Sequence, residues 1–285
     1  MTNRNLINLR ISKHPVWLWI AAVIITLATA MYQRMTGPTY PIRGSVQFNG
    51  GEVSFRLLRS EDVGTDAPVS IKAPDSSLAG YVEYGNYMTG DTWETIQLQR
   101  MDLVRDGEKL TARLPTQAAA RKLMYKVFVQ ADGQSRSLTD GEPIIIRYKG
   151  PVPAWVLAPH ILFMFMSMLW STRAFLEALD AEGRPFKLMI HTMWMLLIGG
   201  LIFGPIVQKY AFGVYWDVTD FTDNKTAIAM FGWILALIAN WKNRTRRGWI
   251  IFAAILMFAI FTIPHSILGS EAAYTRVPQV PPAGG

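Results

Sequence analysis

The chain has 285 residues, 51% of them hydrophobic and 12% aromatic, with a net charge of +7 and no cysteine. Lack of cysteine excludes disulfides, thiol catalysis and haem attachment through a Cys-x-x-Cys-His motif in this chain. Nucleic acid is excluded as the partner of the basic excess, because the cations flank apolar segments instead of forming a separate basic domain.

The apolar residues are concentrated in five stretches, one near the start and four in the last half, with about 115 mostly polar residues between. The pattern predicts five transmembrane helices in a 1+4 arrangement, with an inserted extracytoplasmic all-β sandwich domain. Hydrocarbon offers no hydrogen-bond partner, so segments of roughly 17 to 25 unbroken apolar residues cross it as helices.

Residues 1–15 form a polar tail carrying Arg4, Arg10, Lys13 and His14. The first span covers 16–32. It also fits the layout of a signal peptide, since basic residues precede an apolar run that ends in Ala28-Thr29-Ala30. Its length, and Trp17, Trp19 and Tyr32 as interfacial anchors, favour a retained anchor.

Residues 33–150 read as seven or eight short strands. Val53, Phe55 and Leu57 alternate with Ser54 and Arg56, and Ile96 and Leu98 alternate with Gln97 and Gln99, the period of half-buried strands. Gly50-Gly51, Asp106-Gly107, Asp132-Gly133 and Asp140-Gly141 supply turns that need positive φ. Tyr81, Tyr84, Tyr87 and Trp93 cluster in sequence, and read either as strand packing or as a ligand platform.

Lys109–Leu114 followed by Leu123–Val129 resembles the E and F strands of a fibronectin type III or immunoglobulin-like module. Tyr125 then takes the tyrosine-corner position. The resemblance covers roughly the last third of the insert, and the Cys-Trp-Cys signature of true immunoglobulin domains is absent. It implies a fold that binds or positions partners, not an activity.

Residues 151–267 form a four-helix transmembrane domain, with spans at 152–172, 188–207, 226–241 and 249–267, followed by a tail at 268–285. The linker from Arg147 to Pro153 is short enough to hold the insert close to the bilayer. Pro151 and Pro153 fit before the helix or in its first turn. Arg173, Arg184 and Lys187 lie between the second and third spans, and Lys242, Arg244, Arg246 and Arg247 between the fourth and fifth. The opposite connections hold only Lys209, Lys225 and Arg276. The positive-inside rule then places the amino terminus in the cytoplasm, and the insert and carboxyl terminus outside the plasma (inner) membrane.

Two Pro-His pairs stand out, Pro159-His160 and Pro264-His265. His160 is eight residues into its span, or about 11–12 Å along a helix, and His265 is near the end of its own. Imidazole ligates haem iron and transition metals, and ionisable groups within the membrane mark functional sites. A b-type haem or a metal held between them is one reading. Hydrogen bonds to carbonyls freed by the prolines, proton transfer and quinone contact are the others.

The loop from Gln208 to Lys225 carries Asp217, Asp220 and Asp223, oxygen ligands for a hard cation, although the EF-hand glycine and glutamate are missing. Asp223 or Thr222 also suits the cap of the fourth helix. Tyr210, Phe212, Tyr215 and Trp216 suit the headgroup region, and with Ser270 and Glu271 this loop is placed to floor a site.

Gly200 and Gly204 have the small-xxx-small spacing of close helix packing, and with Gly199 and Pro205 they weaken the third span, as in the broken helices of transporters. Met164, Met166, Met168, Met189, Met193 and Met195 read as apolar packing and not as a copper pathway. His191 lies toward the other end of the third span.

Three functions fit this layout. The first is a non-catalytic subunit or anchor in the lipid bilayer, docking a membrane or extracytoplasmic protein partner. The second is a redox protein using His160 and His265. The third is a small-solute transporter or sensor.

Overall fold

A computed structural model describes residues 15–88, 91–180, 182–216, 218 and 221–264. An apolar helix comes first, then two β-sheets, then further helices. The chain divides into a helical unit, made of the segments on either side, and a unit centred on residues 38–151.

Helix α1 spans Pro15–Thr36. It is followed by β1 (Ile42–Phe48), β2 (Gly51–Leu57), β3 (Ser60–Asp62), β4 (Ala67–Lys72), β5 (Ala79–Tyr87), β6 (Gln99–Asp102), β7 (Val104–Asp106), β8 (Lys109–Leu114), β9 (Lys122–Ala131), β10 (Gln134–Ser137) and β11 (Ile144–Lys149). One sheet runs β1-β2-β4-β8-β7. The other runs β3-β11-β9-β5-β6, with β10 added beside β9. Among the described residues only β3 pairs in parallel, with β11.

Alternation along the strands decides which side chains enter the core. Val53 and Leu57 of β2, Val69 and Ile71 of β4 and Leu110 and Leu114 of β8 meet Val82 of β5, Val127 and Val129 of β9 and Ile144 and Ile146 of β11 in one buried cluster. Both sheets supply it. β3, β7 and β10 have three or four residues each, too short to show a period, which is why the described residues hold eleven strands where seven or eight are expected.

The tight turns take the φ values their residues allow: Asn49-Gly50 at 51° and 75°, Asp132-Gly133 at 53° and 76°, and Asp140-Gly141 at 50° and 88°. The expected alternation over 96–99 is not a strand. Ile96 is buried against Gly85 of β5, Leu98 is exposed, and pairing begins only at Gln99. Gly85 makes this possible, since a Cβ there would stand 2.6 Å from the Gln97 carbonyl oxygen and 3.2 Å from Ile96.

The chain chemistry of α2 (Ala154–Leu179) differs from its expected span at the far end. Hydropathy ends at Arg173, but the helix continues because Arg173 is paired with Glu177 at 2.6 Å, one turn on. The pair is made through Arg173 Nη1, while the buried Nε of the same guanidinium has no partner. Next come α3 (Phe186–Leu196), a π-helical segment (Leu197–Phe203) and α4 (Gly204–Phe212), which form one continuous helical run. Pro205 has no amide hydrogen and its ring crowds the preceding turn, so the run opens to a wider register before it. There Gly204 N–H donates to the Gly199 carbonyl, five residues back.

Helices α5 (Phe221–Asn240) and α6 (Arg247–Thr262) complete the helical unit. α5 starts at Phe221, so Thr222 and Asp223 are inside its first turn and not at its cap. Trp233 of α5 is fully buried and donates through Nε1 to the Met257 sulfur of α6 at 3.1 Å.

Among the described residues, three helices are long and apolar enough to cross a membrane: Val16–Thr36, Ala154–Leu179 and Phe186–Phe212. α6 is apolar but shorter. Large apolar side chains face outward, among them Met31 at 65% exposure and Ile238 at 65%. A water-soluble helical unit would be aggregation-prone with such a surface.

Candidate functional site

Helix ends are the first guide to the helical unit's geometry. At one end the carbonyls of Phe261 and Ile263 accept hydrogen bonds from the Gln33 amide of α1, at 2.6 and 3.3 Å, and Ile263 also accepts one from Lys225 of α5 at 3.2 Å. A cation suits the C-terminus of a helix, where carbonyls lack helical partners. At the other end Arg173 lies 5.5 Å from the Trp19 ring, which meets Trp170 edge-on. Arg247 donates to the Asp180 carbonyl, and Arg244 covers the Phe186 ring at 4.4 Å. The basic side chains of both connections thus gather at the Trp19 end.

His160 is positioned by α2 and the π segment together. Its Nδ1 lies 2.8 Å from the Gly199 carbonyl oxygen, which also receives the Gly204 amide. The approach needs glycine: a Cβ on Gly199 would stand 2.8 Å from Phe163 Cβ, and one on Gly200 would collide with Thr226 of α5. At Gly204 the nearest atom would be 3.8 Å away, so the close contacts fall at Gly199 and Gly200.

A cavity of about 130 Å³ lies between α1, α2 and α6, lined by Thr26, Thr29, Gln33, His160, Met164 and Phe261 among others. Its size falls below the roughly 300–1,000 Å³ of sites for drug-sized ligands. A haem is larger than such a space. His265 lies outside the described residues, so the histidine pair has one described member. Asp217 and Asp220 lie outside them too, as do the Asp223 carboxylate, His14, Ser270 and Glu271. No group of three His, Asp or Glu side chains able to hold a metal occurs among the described residues.

His191 is exposed. It bonds to the Lys187 carbonyl one turn back and stacks on Trp170 with ring centroids 4.8 Å apart. Its neighbours belong to the Arg173 end, away from His160.

The second sheet carries the other candidate site. The clustered aromatics divide by strand parity: Tyr84 joins the core, while Tyr81 and Tyr87 point to the opposite face. There Tyr81 stacks on Phe128 of β9 with centroids 4.7 Å apart, and the Arg100 guanidinium lies 3.7 Å above the Tyr81 ring. Lys126 lies 4.4 Å from the Trp93 ring and Lys122 lies 5.5 Å from the Tyr87 ring. The outward face of β6-β5-β9 therefore carries four aromatic rings, and three of them, Tyr81, Tyr87 and Trp93, have a cation against them. Tyr81 and Lys122 are buried, and a more exposed contact such as that of Lys126 with Trp93 contributes about 0.5–1 kcal/mol.

Residues 38–150 hold fourteen Lys and Arg against fourteen Asp and Glu. The two-sheet unit is neutral, and all of the +7 belongs to the segments around the helices. Tyr125 is held at its hydroxyl, which donates to the Leu58 carbonyl at 2.7 Å, in the link where the chain passes from β2 to β3 and so from one sheet to the other.

The cation-bearing face was half legible in sequence. The rings were visible, but Arg100, Lys122 and Lys126 join them only through strand register. Hydropathy alone leaves Arg173 in the connection after the second span, and Glu177 four residues later is the signal for a helical pair. No protein-family model matches the chain, and no curated protein matches it in sequence.

Proposed function

We propose that this chain is a multi-pass protein of the plasma (inner) membrane, without catalysis of its own, that docks an extracytoplasmic protein partner through its two-sheet unit. All five apolar helices cross the bilayer in this reading, α5 and α6 included. The amino terminus and the Trp19 end of the bundle are cytoplasmic. Supporting this, Arg173, Arg244 and Arg247 all make their contacts at that end, as the positive-inside rule requires. The two-sheet unit is inserted in the chain between α1 and α2.

The two-sheet unit itself is read as an immunoglobulin-like sandwich. β2-β4-β8-β7 follows the A-B-E-D order, and β11-β9-β5-β6 follows G-F-C-C′. β1 is an added edge strand. One feature departs from the pattern: the Tyr125 hydroxyl bonds to Leu58 and not to the corner before its own strand.

The single observation that carries the docking role is the outward face of β6-β5-β9. Tyr, Trp and Arg dominate interface hot spots because they present large, stiff, amphipathic surfaces. Trp93 and Arg100 place two of these types on one sheet face, with Tyr81, 8% exposed, packed beneath Arg100. The test is co-purification in mild detergent. Wild type retains a stoichiometric partner, whereas Trp93→Ala with Arg100→Glu loses it while remaining folded. Repeated isolation of wild type without a partner contradicts the role.

A further inference from the structure

One hydroxyl in the helical unit is unlike its neighbours. Thr29, Thr172, Thr192 and Thr262 each donate to a carbonyl four residues back, and Ser167 to one three residues back. Thr26 is only 4% exposed, and its hydroxyl has no partner. It lines the α1/α2/α6 cavity with Gln33 and His160.

The chemistry of those two residues is fixed by the bonds they already make. The Gly199 carbonyl only accepts, so His160 Nδ1 carries the proton and Nε2 of the neutral ring is an acceptor. The Gln33 amide nitrogen is committed to the Phe261 and Ile263 carbonyls at the end of α6, which leaves Oε1 as a second acceptor. Two acceptors and one hydroxyl ask for a ligand with O–H donors. Size and access narrow it further. An engineered cavity of about 150 Å³ admits benzene, so the roughly 130 Å³ here takes at most a single six-membered ring, with any longer substituent left in the mouth. Ile161 and Phe165 line the same cavity at 46% and 39% exposure, so its mouth opens on the apolar flank of the bundle.

We propose that this cavity binds the single-ring head of a lipid-soluble hydroquinone. The hydroxyls bond within the set His160 Nε2, Gln33 Oε1 and Thr26 Oγ1, and the tail leaves past Ile161 and Phe165. This binding site does not depend on the docking role of the two-sheet unit.

The test is calorimetric titration of the full chain in detergent with 2-decylhydroquinone, kept reduced. Its dimethyl ether and the oxidised quinone serve as comparison probes. Wild type should bind the hydroquinone at least fivefold tighter than either. Thr26→Val keeps the shape and removes a hydroxyl that has no partner in the fold, and should weaken binding at least fivefold. Ala30 also lines the cavity, so Ala30→Phe fills it and should abolish binding. His160→Ala also breaks the bond to Gly199, so Thr26→Val carries the decision. Equal affinity for hydroquinone and dimethyl ether would mean a void that takes any apolar group, and would overturn the proposal. Unchanged affinity in Thr26→Val, or no binding by the folded wild type, would overturn it as well.

Discussion

His160 Nδ1 and the Gly199 carbonyl oxygen are 2.8 Å apart and tie α2 to the π segment. Because Gly199 also receives the Gly204 amide, removing the imidazole does not orphan the carbonyl. His160→Ala should therefore lower stability by only about 1 kcal/mol, the net worth of one hydrogen bond. Thermal unfolding in detergent measures it, and loss of the fold would show that His160 holds more than this contact.

Arg173 and Glu177 form a nearly enclosed pair, with side chains 5% and 21% exposed. Glu177→Leu leaves a buried guanidinium uncompensated and should cost about 3–5 kcal/mol. Arg173→Met combined with Glu177→Leu should recover most of that, because both charges are then gone. A double variant no more stable than Glu177→Leu would show that the pair does not account for the loss.

Removing the Thr26 hydroxyl should act in the opposite direction. Thr26→Val deletes a buried, unpartnered polar group and should raise stability by about 1–3 kcal/mol in the absence of added ligand. A lower melting temperature would mean that the hydroxyl has a structural role.

Alkaline pH should loosen the two-sheet unit. Burial pushes the Tyr148 hydroxyl up to about 12, with Asp66 and Glu61 adding to the shift, and burial raises fully enclosed Tyr125 further still. Unfolded tyrosine ionises near pH 10. Between about 10 and 12 the native state thus holds more protons than the unfolded one, and stability falls as pH rises through that window. It is constant with respect to these groups below it. Tyr148→Phe should flatten the slope of stability against pH above 10, and an unchanged slope would remove Tyr148 as a cause.

The lack of cysteine makes topology directly measurable, since any introduced thiol is unique. In intact cells Gln134→Cys should react with a membrane-impermeant maleimide, and Asn243→Cys should react only after the membrane is disrupted. Both side chains are exposed. The reverse pattern would invert the proposed orientation.

What the sequence showed depended on how local the cause was. The alternation of Val53, Phe55 and Leu57 and the Asp-Gly turns are properties of neighbouring residues, and both appear in the fold. Ile96 to Gln99 alternates just as well, yet the segment packs over Gly85 without pairing along its length, because the absence of a side chain eleven residues earlier creates the space. Arg173 ended a hydropathy window, but one turn of helix supplied its partner. His160 drew notice as an ionisable group in an apolar run. Its partner, Gly199, is 39 residues away, and the register change that exposes it follows from Pro205. Thr26 gave no signal, because nothing local distinguishes it from Thr29 one turn on.

The docking face is the centre of the account, and photocrosslinking in intact cells tests it most directly. A benzoylphenylalanine placed at Arg100 or Lys126, on the outward face of β6-β5-β9, should give one adduct of defined mass on irradiation. The same residue at Arg56 or Arg113, exposed on the other sheet, should give none. Adducts of equal yield from both sheets, or none from Arg100 and Lys126, would contradict docking through this face.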